Sequence, residues 1–187
     1  MGADGRVPMA DASQAGGIRW STTGRLEGTG SPGAGSNATL TDAAPVGTEY
    51  VDTAGTNGAW KWIKTSAGPG ISKWAVTVGD TGWRDITALL GADFTGFVLV
   101  RRNTNLVDLR ITQLRRSAGT STTPITTLPT AFQSSSVPVY GRTYWNFQCY
   151  VAAATIAVTA YTGGGDYWAV CFSTGNAWPT SLPGNAA

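Results

Sequence analysis

A chain of 187 residues with 25 glycines, 42% apolar residues and only 13% charged ones has about half the usual charge density and must draw its solubility from Thr, Ser, Asn and Gly. Its net charge of +2 is too small to drive association with nucleic acid or an anionic surface through counterion release. No apolar run approaches the ~20 residues of a membrane helix, so neither nucleic acid nor membrane insertion is expected among its partners.

Thr, Val and frequent Gly and Pro favour short strands and tight turns over helices. The chain therefore reads as all-β: an extended N-terminal arm (residues 1–43), a small β-hairpin module (44–79) and a C-terminal β-sandwich or jelly-roll-like head (80–187). The opening "MGADGRVPMADASQAGG" lacks the apolar core of a secretory leader. The arm offers Ile18, Trp20 and Leu26 as its large apolar anchors. It cannot build a core alone, so it is expected either to be disordered or to dock on a neighbouring chain through those three residues.

"TEYVDTAGTNGAWKWIKTS" reads as strand, turn, strand, with Asn57-Gly58 supplying the positive φ angles of a type I′ hairpin. Trp60 and Trp62, two apart, are expected on one face. "ISKWAVTVGD" adds a third strand with Trp74, Val76 and Val78 on one side.

In the head, "FVLVRRNTNLVDLRITQLRR" is the clearest hairpin: Phe97–Arg102, a turn at Asn103–Asn105, then Leu106–Leu114. A Pro-punctuated loop follows, with one short strand near Val137–Tyr140. Three more strands are predicted at Arg142–Ala152, Thr155–Tyr161 and Tyr167–Ser173, and the tail "TGNAWPTSLPGNAA" holds two prolines that bar it from a central strand. Alternation puts Phe147, Cys149 and Val151 on one buried face and Trp168, Val170 and Phe172 on another. Cys171 then points the opposite way, which predicts two thiols and no disulfide.

The chain contains no histidine, which removes Ser-His-Asp and Cys-His catalysis and the commonest zinc sites. The 11 carboxylates are scattered. Asp85, Asp93 and Asp108 are the candidates for a facing pair of the glycosidase kind, but they read as turn caps and solvated strand positions. "TGGGDYW", with Asp166, is a hairpin turn first and an anion or calcium cradle second. No nucleotide or cofactor motif follows a strand. No metal site, no cofactor and no enzymatic activity are expected.

Arg101, Arg102, Arg110, Arg115 and Arg116 concentrate in and after the main hairpin. Adjacent strand positions face opposite ways, so Arg101 and Arg102 share no patch. A solvated edge, or an ion pair between subunits with Asp108 or Asp85, is the expectation. Aromatic rings stack on sugars, and Trp145, Tyr167, Trp168 and Trp178 are the candidate saccharide-binding residues, with core packing as the competing role. Trp178, isolated in a Pro-bounded tail, is expected to touch something outside its own module.

The run from Gly30 to Ile86 combines Gly30-Ser31-Pro32, Ala44-Pro45-x-Gly47, Tyr50-x-Asp52, Gly58-Ala59 with Trp62 and Lys64, and Trp74. It resembles a segment recurrent in tail fibres, minor tail proteins and related surface proteins of bacteriophages, particularly those of actinobacteria. The ending "WPTSLPGNAA" is similar to C-termini in the same class, and together these cover about a third of the chain. One departure is Gly33, where an acidic residue usually follows Gly-Ser-Pro. The resemblance implies a homotrimeric virion surface component, made in the host cytoplasm, whose arm docks on other virion structural proteins and whose head faces outward. Two roles fit: a fibre or receptor-binding protein attaching to host cell-surface glycans, or a capsid decoration or head fibre protein docked on the major capsid protein.

Overall fold

The computed structural model describes the backbone of residues 7–10 and 18–21 and residues 25–117, 119–135, 138–142, 148–158 and 166–187. Among these the chain is all-β, its single α-helix being one turn, α1 (Ala38–Thr41). It divides into two compact units, Met1–Thr77 and Val78–Ala187. Near the N-terminus β1 (Val7–Ala10) pairs antiparallel with β2 (Ile18–Ser21).

The first unit is a four-stranded sheet of β3 (Leu26–Gly28), β4 (Glu49–Asp52), β5 (Ala59–Lys64) and β6 (Trp74–Gly79), in that spatial order. The segment from Leu26 to Thr41, read from sequence as part of the arm, belongs to this unit. β3 pairs in parallel with β4, Leu26 opposite Tyr50, a long-range pairing that no local turn announces.

β4 buries alternate residues, Tyr50 and Asp52, both 0% exposed. The buried Asp52 carboxylate accepts the amides of Gly30 (2.9 Å), Ala54 (2.9 Å) and Thr56 (2.8 Å), while the Tyr50 hydroxyl donates to the Gly30 carbonyl at 2.8 Å. The β4–β5 connection is therefore not the two-residue turn the Asn-Gly pair suggests. Asn57 and Gly58 do take positive φ, 53° and 78°, but they close a longer loop folded around Asp52. Burial alone would raise the Asp52 carboxyl; the amides of Gly30, Thr56 and Ala54 outweigh it and hold the group below the usual carboxylate range. Burial and the nearby Asp52 charge push Tyr50 up to about 12.

A second buried charge closes the other end. Lys64, 1% exposed, donates to the carbonyls of Thr41 (2.9 Å) and Asp42 (2.7 Å) and lies 5.5 Å from the Trp74 ring centre, which meets Tyr50 edge-on. Gly33 sits at φ 69° against another chain segment, where a Cβ would lie 2.5 Å from the Gly70 carbonyl carbon. A side chain has no room there, so the position requires glycine. Trp60 and Trp62 do not share a fate: Trp62 is buried, whereas Trp60 is 48% exposed and lies over Gly55. Likewise Trp74 enters the core while Val78 is left exposed.

The second unit holds two sheets. One has the order β13 (Asp166–Ser173), β9 (Leu106–Arg116), β8 (Phe94–Asn103), β7 (Arg84–Asp85) and β14 (Asn185–Ala186); the other is β10 (Val139–Arg142), β11 (Gln148–Ala152) and β12 (Thr155–Val158). Asn103 pairs with Leu106, so the β8–β9 hairpin turns on Thr104 and Asn105, Thr104 at φ 53°. One hydrophobic cluster joins Val98, Val100, Leu109 and Trp168 of the larger sheet to Cys149, Val151 and Ile156 of the smaller, with Leu128 and Phe132 from the loop between. Cys149 is buried and Cys171 exposed, and neither is in a disulfide.

Arg102 falls on the inner parity of β8, beside Val98 and Val100, and is 5% exposed. It is not at a solvated edge, and among the described residues no ion pair holds it. Instead its guanidinium donates to four carbonyls, those of Thr104 (2.8 Å), Ala131 (2.8 Å), Ala177 (2.8 Å) and Asn176 (2.9 Å), and lies 5.0 Å from the Trp178 ring centre. Burial pushes its pKa down to about 10. The tail is fixed again where Arg84 donates to the carbonyls of Pro183 and Gly184 and β14 pairs with β7. Trp178, expected to reach outside its module, is thus 6% exposed and occupied by Arg102.

Two outcomes follow. Asp52→Asn sets an amide NH2 against the Thr56 N–H and costs about 2 kcal/mol. Because the native Asp52 pKa lies below its unfolded value, its contribution is complete above the unfolded pKa of about 4 and is lost as pH falls through the lower native value. Hydrogen exchange over residues 25–77 should show wild-type protection weakening in acid, with a shallower slope in Asp52→Asn. In the second unit, Arg102→Met leaves four carbonyls without their donor and lowers stability by about 3 kcal/mol; Arg102→Lys, a point charge with three donors, restores only part. Urea unfolding and proteolysis of the tail read both.

Candidate functional site

The large sheet of the second unit has a buried face and an open one. Along β9 the buried residues are Val107, Leu109, Ile111 and then Leu114, a spacing of three where alternation requires two. The register explains it. Thr95 pairs with Arg115 but Phe97 with Thr112, and on the other side Asp166 pairs with Leu114 but Trp168 with Ile111. β9 therefore carries one extra residue relative to both neighbours, a β-bulge in an interior strand.

Gln113 takes up the insertion at φ 54°, a left-handed conformation that costs a non-glycine residue ~1–2 kcal/mol. Opposite it Gly96 takes a positive φ of 142°, and a Cβ there would lie 3.0 Å from Leu114 Cα and from the Thr112 carbonyl oxygen. Only glycine lets β8 approach the bulge this closely.

At this level the open face forms a groove of about 600 Å³ lined by Thr95, Gly96, Phe97, Gln113, Arg115 and Tyr167. Phe97 and Tyr167 are 52% and 51% exposed, which is unusual for rings set in strands of a well-packed sheet. Arg115 is exposed and, among the described residues, has no acidic partner.

The same face continues toward the hairpin tip into a smaller hollow of about 280 Å³ that includes Trp83, Arg101, Asp108, Arg110 and Cys171. Arg110 lies 4.3 Å from the Trp83 ring centre, a stacking distance that leaves the guanidinium edge available. Arg101 is differently placed: its guanidinium forms a two-point pair with Asp80, which holds that carboxyl below its ordinary value. Burial, then the hydrogen bond and charge of Asp108, push the Cys171 thiol up, away from the reactive thiolate form.

Of the residues singled out from sequence, Tyr167 lies in the groove. Trp168 and Trp178 are each 6% exposed and belong to the interior, Trp168 with its indole nitrogen 2.3 Å from where a Gly141 Cβ would stand. Leu26 is buried in the first unit. Trp145 and the side chains of Ile18 and Trp20 lie outside the described residues. Asp85 accepts the Thr87 amide at 2.8 Å and acts as a turn cap. Residues 162–165 of the glycine turn are outside the described residues, and among the described ones no three His, Cys, Asp or Glu side chains are grouped to hold a metal ion. No described helix is long and apolar enough to cross a membrane.

Sequence reasoning missed Phe97, Gln113 and Trp83, and read Arg110 and Arg115 as a solvated edge or as ion pairs between subunits. The outward parity of Phe97 was implicit in the burial of Val98 and Val100. What the arrangement supplies is two flat apolar surfaces beside an amide and a guanidinium, the elements of a recognition site. No known protein family matches the chain, and neither do any curated protein or solved structure.

Gln113→Gly removes the left-handed strain and should raise the urea-unfolding stability of the second unit by about 1 kcal/mol. A loss of stability instead would mean that the Gln113 side chain, and not the bulge geometry, holds this part of the sheet.

Proposed function

We propose that this chain is a non-enzymatic bacteriophage virion surface protein of the fibre or receptor-binding type, attaching to host cell-surface glycans through its C-terminal unit. The observation that carries the reading is the open groove in which Phe97 and Tyr167 flank Gln113 and Arg115. Ring faces take the apolar sides of sugars, and the amide and guanidinium supply hydroxyl partners.

The first unit supports the same class. Gly30, Tyr50, Asp52, Lys64 and Trp74, the residues that carry the resemblance to phage surface proteins, are spent on holding one small sheet together. Such a module suits a joint, and a joint is what an arm-and-head virion protein requires. The single core shared by the two sheets of the second unit supports reading that unit as a β-sandwich head. Homotrimer formation fits a chain whose exposed apolar side chains outside the groove include Val46, Trp60, Val78 and Leu106, which identical copies can cover.

Virions of the phage that encodes the chain provide the test. Antibody-gold labelling should mark a few trimers at the tail, and pre-incubating host cells with purified protein should reduce phage adsorption. Labelling spread over the whole capsid, without competition for adsorption, would assign the chain to shell decoration. Absence from purified virions would end the proposal.

A further inference from the structure

Resting on the glycan-attachment reading, we infer that the open face of the large sheet is a track for an anionic glycan polymer, with Arg115 and Arg110 as the two residues that engage its acid groups. Three observations lead there. Arg115 sits in the groove beside Tyr167 and Phe97 without an acidic partner among the described residues. Arg110 lies over the Trp83 ring, 4.3 Å from its centre, and likewise forms no ion pair among the described residues. Arg101, the third arginine of this face, is already engaged by Asp80.

The face thus presents two guanidiniums that form no ion pair among the described residues, Arg110 against an indole ring and Arg115 in a groove shared with two exposed rings. A neutral sugar would leave both without a counter-charge, whereas carboxylate or phosphate oxygens match the fork of an arginine. Arg110 and Arg115 lie opposite Leu99 and Thr95 of β8, four residues apart because the bulge takes up one position of β9, which is about 13 Å at the rise of a strand. That separation suits a polymer bearing acid groups at intervals over a single small acid, which could reach only one of them.

The purified protein is tested by calorimetry against polygalacturonate, a phosphodiester-linked hexose polymer, neutral dextran and oligo(dT). Binding of either acidic glycan about tenfold or more tighter than dextran supports the assignment, and which of the two binds identifies carboxylate or phosphate as the recognised group. Arg115→Gln and Arg110→Gln should each weaken that binding about tenfold, and Tyr167→Ala by a similar factor, while circular dichroism stays unchanged. Arg101→Gln, with the same change in net charge, should alter it less than threefold.

Equal loss in all three arginine variants would reduce the effect to a diffuse positive field and overturn the proposal. So would dextran binding as tightly as the acidic polymers, or binding to none of the glycans. Oligo(dT) binding tighter than either acidic glycan would reassign the face to single-stranded nucleic acid. Free galacturonic acid competing as well as its polymer would remove the two-point track. If purified protein still blocks phage adsorption while acidic glycans are not preferred, the attachment reading stands and this inference alone falls.

Discussion

Asp52 accepts three backbone amides, Lys64 donates to two backbone carbonyls and Arg102 donates to four. In each case a buried charge is met by the peptide backbone and not by an opposite charge. A chain so rich in glycine, with few long elements, leaves many loop N–H and C=O groups that helices and ladders cannot use. Buried without partners, those groups would each cost about 1–3 kcal/mol. One ionised side chain satisfies several of them at once, and charge-assisted bonds are the stronger kind. This is how a protein with only 13% charged residues orders long stretches that lack regular structure.

The same device decides what remains for the surface. Within the second unit, Arg102 draws the loop at Ala131 and the tail at Asn176 and Ala177 against the hairpin tip, closing the inner side of the large sheet. Tail, loop and smaller sheet all contribute to that side, and the groove lies on the other. Phe97, Tyr167 and Leu106, each about half exposed, are left on the side opposite the tail and this loop.

Much of this was legible in the sequence. Composition gave the all-β class and dense Val and Leu runs the main hairpin, while alternation gave the burial of Cys149 and Phe172 and the outward turn of Cys171, because strand parity is a local property. Three things were not local. The parallel pairing of β3 joins residues more than twenty positions apart. The role of Arg102 depends on carbonyls supplied by three separate loops, so an arginine that reads as surface charge becomes an interior tie. Trp178 reads as a lone exposed ring for the same reason: its partner is seventy-six positions earlier. The bulge was readable in principle, since apolar Val107, Leu109 and Ile111 are followed by Leu114, an odd spacing that marks an inserted residue.

That insertion also governs the chemistry of the face. Continued without it, the parity of Val107, Leu109 and Ile111 would carry Gln113 and Arg115 into the core and turn Leu114 to solvent. A buried, unpartnered guanidinium would be far more costly than the ~1–2 kcal/mol of one left-handed residue. One extra residue reverses all three: Leu114 enters the core at 2% exposure, while Gln113 and Arg115 join Tyr167 and Phe97 outside. Strain placed in an interior strand, with Gly96 kept free of a side chain to admit it, is hard to explain as packing, since an unbroken strand with leucine at 113 would fill the same core without it. It is the arrangement expected where the outward-facing residues are the ones that matter.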